Sequence, residues 1–341
     1  MRLARFNLFA SVILAAILSA PAWASRTALP GTLNYVEGNA SIGDQSLNSQ
    51  SIGSAELQPG QSLVTGNGKA EVLLTPGVFL RLGDDSSVKL ISPSLTNTRV
   101  ALEKGEAMVE VDELYPENNL QIAEDGVNTR LEKTGLYAFD ADHAQVRVFD
   151  GKAVAQVDDH KVTLKGGREL ALNTDQPYKA QKFDKKQYEQ TDLYQWSSLR
   201  SSYLAEANEN AARTYVVNGW YGPGWAGAGW YWSPWFSAYT FIPGGGVFYN
   251  PFGWGFYSPV WAYRAPLFYG GVGYVHHFGP GYRAPLYAHP GHFRAHGPAA
   301  GFRGVNGFHG GAIGRSAPAI GARSFGGFHG GFHGGGFHGR R

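Results

Sequence analysis

Between residues 57 and 112, apolar side chains recur at every second position in short runs, and Pro-Gly or Lys-Gly pairs interrupt them. Leu57 to Gly66 leads into Ala70-Glu71-Val72-Leu73-Leu74, then Pro76-Gly77-Val78-Phe79-Leu80-Arg81-Leu82. Ser87-Val88-Lys89-Leu90 follows, and Leu102 to Asp112 closes the stretch through Gly105. Period-two alternation sets one side of each segment in a core and the other in water, and turn residues this closely spaced leave no room for helices. The pattern predicts strands at Leu33–Val36, Ala40–Ile42, Gln61–Thr65, Ala70–Leu74, Val78–Leu82, Val88–Ile91, Val100–Leu102, Glu106–Val111 and Leu120–Ile122. It continues through Thr129–Glu132, Leu136–Asp140, Gln145–Phe149, Lys152–Val157, Val162–Leu164 and Glu169–Leu172. The fold class expected is all-β, a twisted solenoid-like or sandwich domain over residues 33–183, and periodicity does not choose between the two.

From Asp184 to Arg213 the period changes. Tyr188, Leu193, Trp196, Leu199, Tyr203, Ala207 and Ala211 fall mostly three or four apart, which predicts one amphipathic helix over 184–213 with Asp184 as N-cap and its aromatic stripe on the β body. Residues 214–263 hold no charged side chain and are crowded with Trp, Tyr, Gly and Pro. Pro223, Pro234, Pro243, Pro251 and Pro259 exclude a membrane-spanning helix there. Short β or irregular structure is expected, with Trp220, Trp225, Trp230, Trp232, Trp235, Trp254 and Trp261 forming an aromatic surface that packs on the body or meets an envelope surface. Residues 264–341 are rich in Arg, His and Gly and repeat Gly-Phe-His-Gly, and such a tail is expected to be largely irregular or disordered.

The order of β motifs resembles the FecR domain, named for a bacterial protein that relays an iron-siderophore signal. The likeness runs through Thr65-Gly66, Ala70 to Leu74, Leu80-Arg81-Leu82 and the Leu102 to Val111 segment. It goes on to Thr134-Gly135-Leu136-Tyr137-Ala138-Phe139, Val146 to Val154 with Gly151, and Val162 to Gly167. It covers about residues 33 to 173 and implies a twisted, solenoid-like all-β body. Signal-relaying members carry an anti-sigma segment and a membrane helix ahead of the domain. Here Arg2 and Arg5 precede an apolar run ending near Leu18, and Ala22-Trp23-Ala24 offers a cleavage site, so residues 1–24 are expected to be a secretory signal peptide. No transmembrane helix is expected after cleavage. The location expected is the periplasm, the cell surface or the medium.

The formal net charge of +2 hides a division. Residues 25–209 hold all 27 acidic side chains against 18 basic ones, a net of −9, whereas nine arginines and no Asp, Glu or Lys follow Glu209. With no cysteine, disulfides and a lipid-modified N-terminal cysteine are excluded. The basic, aromatic tail suits an anionic glycan or lipid surface, and export argues against nucleic acid as its partner.

No catalytic constellation stands out, and no cofactor is expected. Gly222-Pro223-Gly224-Trp225-Ala226-Gly227 matches a dinucleotide-loop string, but Pro223 lacks the backbone N–H such a loop needs and no βαβ unit surrounds it. His143 and His160 follow acidic residues in predicted turns. The pairs Asp84-Asp85, Asp112-Glu113, Glu124-Asp125 and Asp158-Asp159 read as solvated turns. His329, His333 and His338 are weak metal candidates, because a Gly-rich tail with no acid or sulfur ligand holds no fixed geometry. The function expected is that of a non-enzymatic exported protein. Its β body would bind an envelope protein or glycan, and its tail would give surface adhesion or retention. The alternative is a periplasmic component of FecR-like metal- or siderophore-responsive signalling that works through a separate membrane partner.

Overall fold

The computed structural model describes residues 28–173, 178–217 and 228–262. Fifteen strands form one hydrogen-bonded sheet: β1 (Leu33–Ile42), β2 (Gln45–Ser46), β3 (Ser62–Leu73), β4 (Val78–Leu82), β5 (Ser87–Ser94), β6 (Asn97–Lys104), β7 (Glu106–Val111), β8 (Gln121–Glu124), β9 (Val127–Leu131), β10 (Gly135–Asp140), β11 (Gln145–Asp150), β12 (Lys152–Val157), β13 (His160–Lys165), β14 (Arg168–Ala171) and β15 (Gln181–Lys182). The fold is strand-dominated, in the all-β class that the alternation predicts.

The sheet divides at β3. Along one edge β3 pairs with β1, and its other edge is shared, Ser62–Val64 pairing with β5 and Ala70–Leu73 with β4. One half then continues through β5, β6, β8, β9, β12 and β13, the other through β4, β7, β10, β11, β14 and β15. The two halves face one another. Leu63, Leu90, Val100, Ile122, Ala155 and Leu164 from the first share a single apolar cluster with Val72, Leu80, Val109, Tyr137, Val146 and Leu170 from the second. This is the sandwich arrangement, with the β1–β3 ribbon as the corner strand of both layers. The ribbon bends where Gly38 meets Gly68: a Cβ on Gly38, which sits at φ +64°, would lie 2.2 Å from the Asn67 carbonyl oxygen, and one on Gly68 would lie 2.4 Å from that of Glu37. Those glycines explain why the two predicted pairs, Leu33–Val36 with Ala40–Ile42 and Gln61–Thr65 with Ala70–Leu74, are each one bent strand.

The layers differ on their outward faces. In the β5–β13 layer buried and accessible residues alternate, as they do along β6 and β12, so only the inner face is covered. In the other layer β4 is buried along its whole length and β7 at every residue after Glu106. Something covers that layer from outside. The cover is the rest of the described chain: a short helix Lys185–Tyr188, a long helix Asp192–Val217, the hairpin β16 (Gly229–Ser233) and β17 (Ala238–Ile242), the hairpin β18 (Val247–Tyr249) and β19 (Gly255–Tyr257), and a final turn of helix, Pro259–Ala262. Leu73 and Phe79 of the sheet pack with Leu204, Ala205, Tyr239, Phe241 and Phe256 of this cap. Met108, Leu136 and Phe149 pack with Leu193.

The helical region departs from its sequence reading in two ways. Asp184 caps only the short helix, its Oδ1 accepting from the Lys186 N–H at 3.0 Å, and the chain restarts at Asp192. The buried stripe of the long helix keeps Leu193, Ala207 and Ala211 of the expected one but not Leu199 and Tyr203, which are 53% and 48% exposed, and it adds Ser197, Arg200, Ser201, Leu204 and Asn208. The surface beneath the middle of the helix carries the Glu71 and Glu110 carboxylates, so Arg200 and Ser201 face it there, while Leu193 and Leu204 pack on its apolar residues.

Candidate functional site

The outward residues of β3, β4 and β7 carry a ladder of charge. Cross-strand pairing places Glu71 opposite Arg81, and Arg81 donates through Nε to Glu71 Oε2 at 2.7 Å and through Nη1 to Glu110 Oε2. All three side chains are fully buried. The cap completes the set. Arg200 Nη2 donates to Glu71 Oε1 at 2.9 Å, Ser201 Oγ donates to Glu110 Oε1 at 2.8 Å, and Asn250 Nδ2 donates to the same oxygen at 2.7 Å. Burial alone would raise the Glu71 carboxyl, but Arg200 and Arg81 together outweigh it and hold the pKa at about 2. At the mouth of the ladder Lys69 pairs with Asp192 at 2.6 Å and Asp84 at 3.1 Å.

Side-chain amides fasten the cap as if they were backbone. Asn34 of β1 exchanges two bonds with the main chain of Tyr239, accepting from its N–H at 2.7 Å and donating to its carbonyl at 3.0 Å. Asn208 of the long helix bridges both hairpins, donating to the carbonyls of Phe241 and Tyr257 and accepting from the Tyr257 N–H. Asn250 uses its Oδ1 for the amides of Phe252 and Trp254, which aims its Nδ2 at Glu110. Buried amides left without such partners would each cost about 1–3 kcal/mol.

Outward from this latch the cap presents aromatic rings. Trp230 packs edge-on against Phe79, centroids 5.0 Å apart, and Trp254 is partly buried beside the same cluster. Trp232 is 38% exposed, lies over Gly53 and meets Tyr239 edge-on at 5.1 Å. Three residues further on, in the turn of the β16–β17 hairpin, Trp235 is 83% exposed, and Trp261 is 38% exposed. Beside Trp232 and Tyr239 an open cleft of about 300 Å³ is lined by Thr32, Gly53, Ser54 and Glu56. The predicted Trp set thus divides into rings that fill the cap and rings that face outward, while Trp220 and Trp225 lie outside the described residues.

The acidic pairs do not all behave as solvated turns. Asp112, just past the end of β7, and Glu124, the last residue of β8, are buried because each continues its strand on a covered parity. Burial, then the Glu110 charge, pushes the Asp112 carboxyl well above the usual range, and burial lifts Glu124 to about 8. His143 sits exposed in its turn with Nδ1 2.9 Å from both Asp140 oxygens, a contact that raises its pKa, and His160 is exposed at the start of β13. Among the described residues no three acidic or histidine side chains are grouped to hold a metal ion. His329, His333, His338, the signal-peptide segment 1–24, the string Gly222 to Gly227 and the tail 264–341 lie outside the described residues. Among the described residues no helix is long and apolar enough to cross a membrane.

This two-layer β domain, capped on one face by its own C-terminal segment, is matched by a family model. The model, described as FecR protein, matches residues 61–154, from the start of β3 into β12. The chain carries a FecR domain. Two solved structures of a proposed anti-sigma factor from Parabacteroides distasonis ATCC 8503 are similar to it at 15% and 16% identity, with TM-scores of 0.32 and 0.31. Each match covers 36% of this chain and 60% or 58% of the other, so the chain spans about three-fifths of the length of those proteins. No curated protein matches the chain.

Proposed function

We propose that this is a non-enzymatic, exported FecR-domain protein that acts by binding within the cell envelope, with its aromatic cap holding it to an envelope surface. The observation that carries this reading is Trp235, 83% exposed on a hairpin whose β17 strand is wholly buried. A large ring held out into solvent by a fixed element loses little conformational freedom on contact, and its flat, weakly polar face suits sugar rings and headgroup interfaces. Trp232 and the neighbouring cleft enlarge the same contact. The test is fractionation of the native host with immunoblotting of full-length protein, the Trp235→Ala variant and a chain ending at Ala262. Loss of the variants from the envelope pellet supports retention by the cap and tail. Equal distribution of all three overturns it.

The FecR match favours a second reading, a periplasmic component of metal- or siderophore-responsive signalling that works through a separate membrane partner. Copurification of the full chain with an anti-sigma factor or an outer-membrane transporter would support that reading, and release together with surface polysaccharide would support the first.

A further inference from the structure

The outward face of the β5–β13 layer is the face of the FecR domain that the cap leaves bare, and its charge is opposite to that of the body. Residues 25–209 carry a net −9, yet the strand positions on this face hold Lys89, Arg99, Arg130, Lys152, Lys161 and Lys165 against two carboxylates, Glu103 and Glu132. Glu103 takes Lys89 at 3.2 Å, and Glu132 takes Lys152 at 2.7 Å together with Arg130. Arg99, Lys161 and Lys165 have no acidic partner among the described residues. Asp125, Asp158 and Asp159 lie on turns at the rim, off the strands.

The strand register makes a comb of these groups. Arg99 pairs across to Gln121, Gln121 to Arg130, Arg130 to Val154, and Val154 to Thr163. One step along, Ala123 is opposite Asn128, Asn128 opposite Gln156, and Gln156 opposite Lys161. Arg99 Nη2 reaches over β8 to Asn128 Oδ1 at 3.1 Å, which confirms that these groups share one surface. Neighbouring strands are about 4.8 Å apart, so Arg99 and Arg130 stand about 10 Å apart with Gln121 between them; Lys161 and Lys165 stand about 13 Å apart along β13, and Lys165 faces Lys152 directly.

We propose that this face binds an acidic polysaccharide, its carboxylates taken by the spaced cations and its hydroxyls by Gln121, Asn128, Gln156 and Thr163. The spacing suits a sparse polyanion. A DNA duplex presents one charge per about 1.7 Å, and single strands are held by stacking on aromatic rings, which the named outward positions of this layer do not supply. The proposal deepens the binding role given to the β body above and does not depend on Trp235.

The experiment is calorimetric titration of the full chain with polygalacturonate oligomers, with neutral dextran and a DNA oligonucleotide as comparators. Lys161→Glu with Lys165→Glu, on the solvent-facing positions of an edge strand, is expected to weaken polygalacturonate binding at least tenfold. Lys161→Arg with Lys165→Arg should leave it unchanged, and rising salt should weaken it in the wild type. Undiminished binding by the charge-reversed variant overturns the proposal, as does equal binding of dextran or tighter binding of DNA. Loss of polygalacturonate binding in Trp235→Ala would transfer the site to the cap and overturn it as well. Normal binding here with failed envelope retention would sink only the role given to the cap.

Discussion

Arg200, on the long helix, donates to Glu71, on the sheet, at 2.9 Å, and neither side chain is more than a tenth exposed. The pair joins the cap to the β domain at a place where an unpaired charge would be costly. Arg200→Met leaves Glu71 with Arg81 and with the Asn34 amide, which donates to its Oε1 at 2.9 Å, and breaking a buried pair in this way costs about 3–5 kcal/mol. Urea denaturation followed by tryptophan fluorescence measures the loss. The double variant Arg200→Met with Glu71→Gln should recover part of it, since the second change removes the stranded charge.

Acid should loosen the same latch. The Glu71 pKa is depressed from 4.5 to about 2 in the folded chain, so its stabilisation is complete above about pH 4.5 and is lost as pH falls through about 2. Denaturation midpoints of wild type and Glu71→Gln, compared from pH 6 downward, should draw together from about pH 4.5 and converge only near about pH 2. Parallel pH profiles for the two proteins would contradict this assignment.

Glu124 works in the opposite direction. Its folded pKa is raised from 4.5 to about 8, so the folded state keeps a proton that the unfolded state has lost, and stability falls as pH rises between those values. Glu124→Gln, which retains an acceptor for the Gln145 N–H, should melt higher than wild type at pH 9 and at the same temperature at pH 4.

The chain crosses from β11 in one layer to β12 in the other at Gly151, with φ +99°. A Cβ there would stand 2.3 Å from Tyr137 Oη, which donates to the Lys133 carbonyl and accepts from the Lys152 N–H. Gly151→Ala must therefore displace a buried tyrosine and adopt a left-handed backbone. A loss of about 3 kcal/mol or more is expected in the same denaturation assay.

Two tryptophans on one hairpin should separate stability from binding. Trp235→Ala should leave the denaturation midpoint within about 0.5 kcal/mol of wild type, as an exposed substitution does. Trp230→Ala removes a ring packed on Phe79 and Phe241 and should cost about 2–3 kcal/mol, below the cost of a fully buried ring.

Much of the β domain is legible in the sequence because its inner core obeys simple alternation. Val78–Leu82, Glu106–Val111 and Lys152–Val157 are strands with the same bounds in both readings. The latch is not legible in the same way, because Glu71, Arg81 and Glu110 occupy alternate positions and so resemble a solvated side. A signal was present: Leu73 and Phe79 share that parity, and apolar residues on both parities of a strand mean that both faces are covered. What covers them lies far along the chain, in a helix whose apolar period is legible through Leu193, Ala207 and Ala211 but whose buried Ser197, Arg200, Ser201 and Asn208 escape a search for apolar residues.

The distance in sequence between latch partners sets an order of events in time. Glu71 precedes Arg200 by 129 residues, and Glu110 precedes Asn250 by 140. During synthesis the inner core can close once β14 has emerged, while the outer face, with Phe79 and two buried-to-be carboxylates, stands open until the helix and hairpins arrive. The growing chain therefore passes through a half-dressed stage in which its future interior is surface, and any companion that shields such surface would have its brief opportunity there.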